Sequence, residues 1–149
     1  MIFNILFGFF IPWMIFLFHI RKSKFLITSS TVILLSGLIA FLFNDIGYSL
    51  KLWCVNPVKY AVLPMTPYNF GFFTVLGIYL IQTIITFRRP YLLIGIASLV
   101  ATLAETVLYI LNRIHYDNYW NLFFTFLSYV LANFILYWLS KALKVIPNK

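Results

Sequence analysis

Long apolar runs alternate along this chain with short clusters of charge, amide and proline. Residues 2–20, 25–43, 70–87, 91–111 and 119–139 are almost free of charge, and each is close to the ~20 residues a helix needs to cross a ~30 Å hydrocarbon core. The pattern predicts an all-α fold: five transmembrane helices in one bundle, with residues 1–149 as a single domain. Arg21, Lys22 and Lys24 follow the first run instead of preceding it, so that run reads as a retained span and not as a cleaved leader. Pro12 lies inside it and removes the donor that would reach the Gly8 carbonyl, which predicts a bend there.

Between the second and third runs, residues 44–69 hold Pro57, Pro64 and Pro67 together with Tyr48, Trp53, Tyr60 and Tyr68. Aromatic side chains favour the headgroup level, so this stretch reads as a loop along the membrane surface, with a short helix after Pro57; a re-entrant segment is the alternative. Arg88-Arg89-Pro90 sets a sharp turn between the third and fourth runs. Residues 113–118 form a short polar connector between the fourth and fifth.

Composition settles the class. The chain is 63% hydrophobic and 9% charged, against about 25% charged in soluble domains. The net charge of +8 gathers at the ends of the apolar runs, not along a stripe that would follow a nucleic acid, so no nucleic-acid partner is expected. Arg21, Lys22, Lys24, Arg88, Arg89, Lys141, Lys144 and Lys149 fall on one side, and Lys51, Lys59 and Arg113 on the other. The positive-inside rule then places the amino terminus outside and the carboxyl terminus in the cytoplasm of a cell-membrane protein. Cys54 is the single cysteine, which excludes an intrachain disulfide.

Within the fourth run stands Glu105, the only glutamate. Ser98, Thr102, Glu105, Tyr109 and Asn112 fall at helical spacings on one face, so the acid belongs to a polar stripe. A carboxylate in hydrocarbon is costly and must face protein or a wet cavity; it reads either as a functional site or as a hydrogen-bonded clamp between helices. The short 113–118 connector makes the fourth and fifth helices an antiparallel hairpin. Counting depth from it sets Tyr109 level with Asn121, Glu105 with Thr125, Thr102 with Ser128 and Ser98 with Ala132. A Glu105–Thr125 seam is expected, with Tyr109 and Asn121 on its outer side.

No phosphate-binding glycine loop, zinc-type Cys/His spacing or nucleophile elbow occurs in the sequence. His115 and Asp117 are two potential ligands where metal sites need three or four, so no metal is expected, and no cofactor either. A Glu105–His115 acid–base pair would lie ~15 Å apart along a continuous helix, out of reach unless the connector folds back. Two readings follow. The first is a small membrane protein that acts by interaction, as a subunit, lipid-associated factor or accessory protein, with membrane lipids, a membrane protein or a second copy of itself as partner. The alternative is a small proton, cation or solute carrier or channel working through Glu105 as an oligomer. Glu105-Thr106, Tyr116, Tyr119-Trp120, Thr125, Tyr129 and Tyr137-Trp138 give residues 91–141 a pattern that resembles small uncharacterised multi-pass membrane proteins of endospore-forming Bacillota. The resemblance implies a five-span bundle in the cell membrane and brings no activity with it.

Overall fold

The computed structural model describes residues 1–20 and 29–146. Arg21, Lys22, Lys24 and Lys149, and the start of the expected second span, lie outside the described residues. Five helices are long and apolar enough to cross a membrane. The first, α1, runs through an α-helical turn Ile2–Ile5, a π-helical turn Leu6–Phe10 and an α-helix Ile11–Ile20. The π turn falls where Pro12 takes away the usual donor, and the Ile11 N–H reaches back to the Leu6 carbonyl. A π turn inserts one extra residue, so the register of α1 changes at Gly8.

Helix α2 spans Ser29–Ser49, six residues beyond the expected end at position 43. The expected loop is therefore shorter than the polarity of Asn44 and Asp45 suggested. These two side chains are tolerated because they lie in the last turns of a helix, near its exit. From the other side, α3 begins early, through a 3-10 turn Leu63–Met65, an α turn Thr66–Tyr68, a π turn Asn69–Phe73 and an α-helix Thr74–Phe87. Pro64 and Pro67 sit in first-turn positions, where a missing N–H leaves no bond unmade, so prolines that read as loop residues instead start a helix. Arg88 adopts the left-handed conformation and returns its N–H to Ile84, ending α3. Pro90 then opens α4, Pro90–Ile110, and α5 spans Leu122–Ala142.

The all-α expectation needs one correction. Strand β1, Trp53–Val55, pairs antiparallel with β2, Ile114–Tyr116, in the register Trp53↔Tyr116, Cys54↔His115 and Val55↔Ile114. Bonds from Asn56 N to the Arg113 carbonyl (2.8 Å) and from Asp117 N to the Leu52 carbonyl (2.9 Å) extend the ladder. The two connectors leave the bundle at the same end, and pairing satisfies backbone groups that the tight chain reversal would otherwise leave open. This ribbon marks the hairpin end of the molecule.

Helices α4 and α5 pack along one another, and α2 lies against both α3 and α5. Phe16, Val32, Ile78, Ile81, Ile94 and Leu136 form the centre of the core. The outward faces are just as apolar: Leu34 is 73% exposed, Ile110 70% and Phe123 64%. Helix α1 meets α3 at its π turn, and both π turns carry the same four residues, Phe-Gly-Phe-Phe, at 7–10 and 70–73. The two glycines allow the backbones to touch. A Cβ on Gly71 would fall on the Gly8 carbonyl oxygen, and one on Gly8 would come within 3.0 Å of the Tyr68 nitrogen. The indole of Trp13 donates to the Phe70 carbonyl at 2.8 Å, and the Thr74 hydroxyl donates to the Asn69 carbonyl at 2.8 Å, so acceptors around the second π turn keep partners.

Candidate functional site

Glu105 stands on the inner face of α4, below the ribbon, and its two oxygens are taken by two phenols. Tyr116 donates to Oε1 at 2.6 Å, and Tyr129 of α5 donates to Oε2. The Thr125 hydroxyl lies beside the same carboxylate and beside Tyr116; it accepts from the indole of Trp120 at 2.9 Å. One acid thus joins α4, β2 and α5. Strand alternation explains the choice of Tyr116: Ile114 is buried, His115 exposed and Tyr116 half-buried, so the strand sends its first and third side chains inward and its second outward. Burial raises the Tyr116 phenol above its ordinary value, and the neighbouring Glu105 carboxylate raises it further. The phenol therefore remains a donor throughout the physiological pH range.

A second polar chain adjoins the first. The Trp53 indole donates to Asn44 Oδ1 at 3.0 Å, and Asn44 Nδ2 donates to Asn69 Oδ1 at 2.5 Å. The rings of Trp53 and Trp120 meet at 4.8 Å, joining the two connectors above the bundle. Trp53 rests on Gly47, where any Cβ would overlap its ring.

Two cavities meet at this cluster. The larger, about 280 Å³, lies between α3 and α4 under the ribbon and is lined chiefly by apolar side chains such as Met65, Phe72, Leu108 and Ile114. The smaller, about 60 Å³, lies between α2, α4 and α5 and is lined by Ser36, Thr125, Ser128 and Asn133 among others. Glu105, Tyr129, Asn44 and Trp53 line both. The larger is mostly apolar; the smaller carries most of the hydroxyls and amides.

The residues singled out in the sequence are distributed as follows. Thr125 does lie beside Glu105, but the carboxylate's bonding partner on α5 is Tyr129, one turn deeper. Ser98 is fully buried and accepts from Asn133 Nδ2 at 3.0 Å, one residue beyond the expected Ala132. Thr102 and Ser128 do not bond each other; each hydroxyl returns to its own helix, Thr102 to the Ser98 carbonyl and Ser128 to the Thr125 carbonyl, both at 2.8 Å. Asn121 is not part of the seam. It caps α5, accepting from Phe123 N and Phe124 N at 3.0 and 3.3 Å, which starts that helix at Leu122. Tyr109 is 46% exposed and stacks on Tyr116, with ring centres 5.1 Å apart.

His115 and Asp117 do not form a site with each other. His115 Nε2 pairs with Asn56 Nδ2 at 2.8 Å, and Asp117 contributes backbone bonds to Leu52 and Trp120. The connector does fold back toward α4, yet it brings Tyr116 and not His115 to Glu105. Among the described residues no group of three potential metal ligands occurs.

Spacing along the sequence does not mark Tyr116, Tyr129, Trp53, Asn44 or Asn69 as site residues. Asn44 and Asn69 were legible only as the amides that bracket a presumed loop. Comparison with family models, with curated proteins and with solved structures finds no match to this chain.

Proposed function

We propose that the chain is an integral membrane protein, with its hairpin end and amino terminus outside and its carboxyl terminus in the cytoplasm, that acts by binding and not by catalysis. The observation that carries this reading is the Glu105 carboxylate, held by phenols from two other elements at the point where two cavities adjoin. A carboxylate fixed in this way is a clamp: it ties the outer ribbon to the bundle and presents a shaped polar patch in an apolar surround. The lipid-like flanks of all five helices fit membrane insertion.

The second reading, a proton or cation carrier, draws on the smaller cavity beside Glu105. Purified protein in liposomes separates the two. No proton or monovalent-cation flux that depends on Glu105 is expected; flux abolished by Glu105→Gln in a stably folded variant would replace the binding reading with the carrier.

Orientation has its own test in Cys54. It lies in β1, half-buried, and burial pushes its thiol above the ordinary value, with the nearby Asp117 carboxylate adding to the shift. Only the thiolate reacts. A membrane-impermeant maleimide added to intact cells should therefore label Cys54 slowly at neutral pH, and the rate should still be climbing at alkaline pH where an open cysteine has levelled off. Labelling only after the cells are opened would reverse the topology.

A further inference from the structure

The larger cavity is partly open. Of the residues that line it, only Phe7 of α1 and Val107 of α4 are exposed, at 51% and 55%. These two helices make no extensive contact with each other, so the cavity opens sideways, through the apolar flank of the bundle, between Phe7 and Val107. A molecule entering there comes from a hydrocarbon phase. No exposed residue lines the smaller cavity. Ser36 is on its wall, 5% exposed, with its hydroxyl packed against Gly77, where a Cβ would fall within 2.2 Å of the oxygen. Glu105 is the one acidic side chain on either wall, and no Lys, Arg or His lines either cavity.

We propose that the two cavities form one binding site for a single-chain amphiphile. Its chain enters between Phe7 and Val107 and lies in the larger cavity, and its small, hydrogen-bond-donating, non-anionic head reaches Glu105. The chain is single because the space under the ribbon is one narrow volume of about 280 Å³. The head is small because the inner cavity is about 60 Å³, room for a few water-sized groups. It donates because it meets the oxygens of Glu105, and it is not anionic because no Lys, Arg or His lines the walls. A hydroxyl and an ammonium share this chemistry. The inference deepens the binding reading and rests on it.

Three photoreactive probes of equal chain length test it: a long-chain alcohol, the corresponding amine and the corresponding fatty acid, each with a diazirine midway along the chain. With the full chain in lipid nanodiscs, the alcohol or the amine should label residues on α3 and α4 that face the larger cavity. The fatty acid should label them about tenfold less, a difference of one hydrogen-bond-sized preference. Ala104→Phe, which fills the larger cavity from α4, should abolish labelling; if that variant melts lower, Val107→Trp at the mouth takes its place. Equal labelling by all three heads, or labelling indifferent to the filling variant, overturns the proposal. Failure here with Glu105 and Tyr129 still energetically coupled removes only the amphiphile. Loss of that coupling with labelling retained removes the clamp and leaves the site.

Discussion

Gly71→Ala should destabilise the protein more than a methyl group added at any other glycine. The added Cβ falls on the backbone of the opposing π turn, at the Gly8 carbonyl oxygen and near the Phe9 Cα. Neither can rotate away, so α1 must separate from α3. Overpacking of this kind typically costs about 1–3 kcal/mol, and a backbone-on-backbone overlap belongs at the upper end. The separation would also pull at Asn4, which is buried and spans the same junction: its Nδ2 donates to the Asn56 carbonyl at 2.8 Å, and its Oδ1 accepts from Tyr68 at 3.2 Å. Gly95→Ala is the control. No atom lies within 4 Å of a Cβ there, and helix propensity alone should make it neutral or stabilising by up to about 1 kcal/mol. Thermal melts in one detergent compare the two directly. A Gly71→Ala variant that melts with Gly95→Ala would mean that the π turns do not cross at their glycines.

Glu105→Leu should follow closely. Leucine removes the acceptor for both Tyr116 and Tyr129, and each buried donor left unpaired costs about 1–3 kcal/mol. Tyr116 can turn partly outward with its strand, whereas Tyr129 stays inside the bundle against Phe73, so a loss of about 2 kcal/mol is expected. Glu105→Gln keeps an oxygen for one phenol and offers the other an N–H, which that hydroxyl can rotate to accept; its loss should stay under about 1 kcal/mol. The ribbon gives a second readout. Once Tyr116 is released, the β1–β2 pair should open more often, and Cys54 should react faster in the leucine variant than in the glutamine variant. Equal melting of the two variants would deny Glu105 a bonding role.

Much of the bundle was legible because it depends on length and polarity alone. Runs without charge become helices that can hide their backbone in hydrocarbon, and their number follows from the clusters that interrupt them. The boundaries were less legible, each for a local reason. Pro64 and Pro67 read as breakers, but a proline in a first turn is a starter. Asn44 reads as an exit, yet α2 continues past it because the Trp53 indole and the Asn69 amide satisfy its side chain. Asn121 reads as one more polar residue on a face until its side chain is seen to bond two backbone N–H groups, and this cap starts the fifth helix at Leu122, three positions after the expected Tyr119. Glu105 does lie beside the expected Thr125, and it also bonds Tyr129, one turn deeper on the same helix.

The ribbon was illegible for a different reason. Three residues on each side, Trp53–Val55 and Ile114–Tyr116, are too few for a period to declare itself, and the pairing depends on where the helices deliver the two connectors. Tyr116 could not be assigned to Glu105 without it. By contrast, the singularity of Glu105 was plain: one glutamate in a polar stripe marks a site whatever its partners are.

The most direct test of the clamp is a double-mutant cycle between Glu105→Leu and Tyr129→Phe, with unfolding measured in one detergent. The two residues share a hydrogen bond inside the bundle, so removing either should remove most of what the other contributes. The losses should be non-additive by about 1 kcal/mol, within the range found for membrane hydrogen bonds. Losses that simply add, within about 0.3 kcal/mol, would contradict it: Glu105 and Tyr129 would then be neighbours without a bond, and the carboxylate would not be what joins α4 to α5.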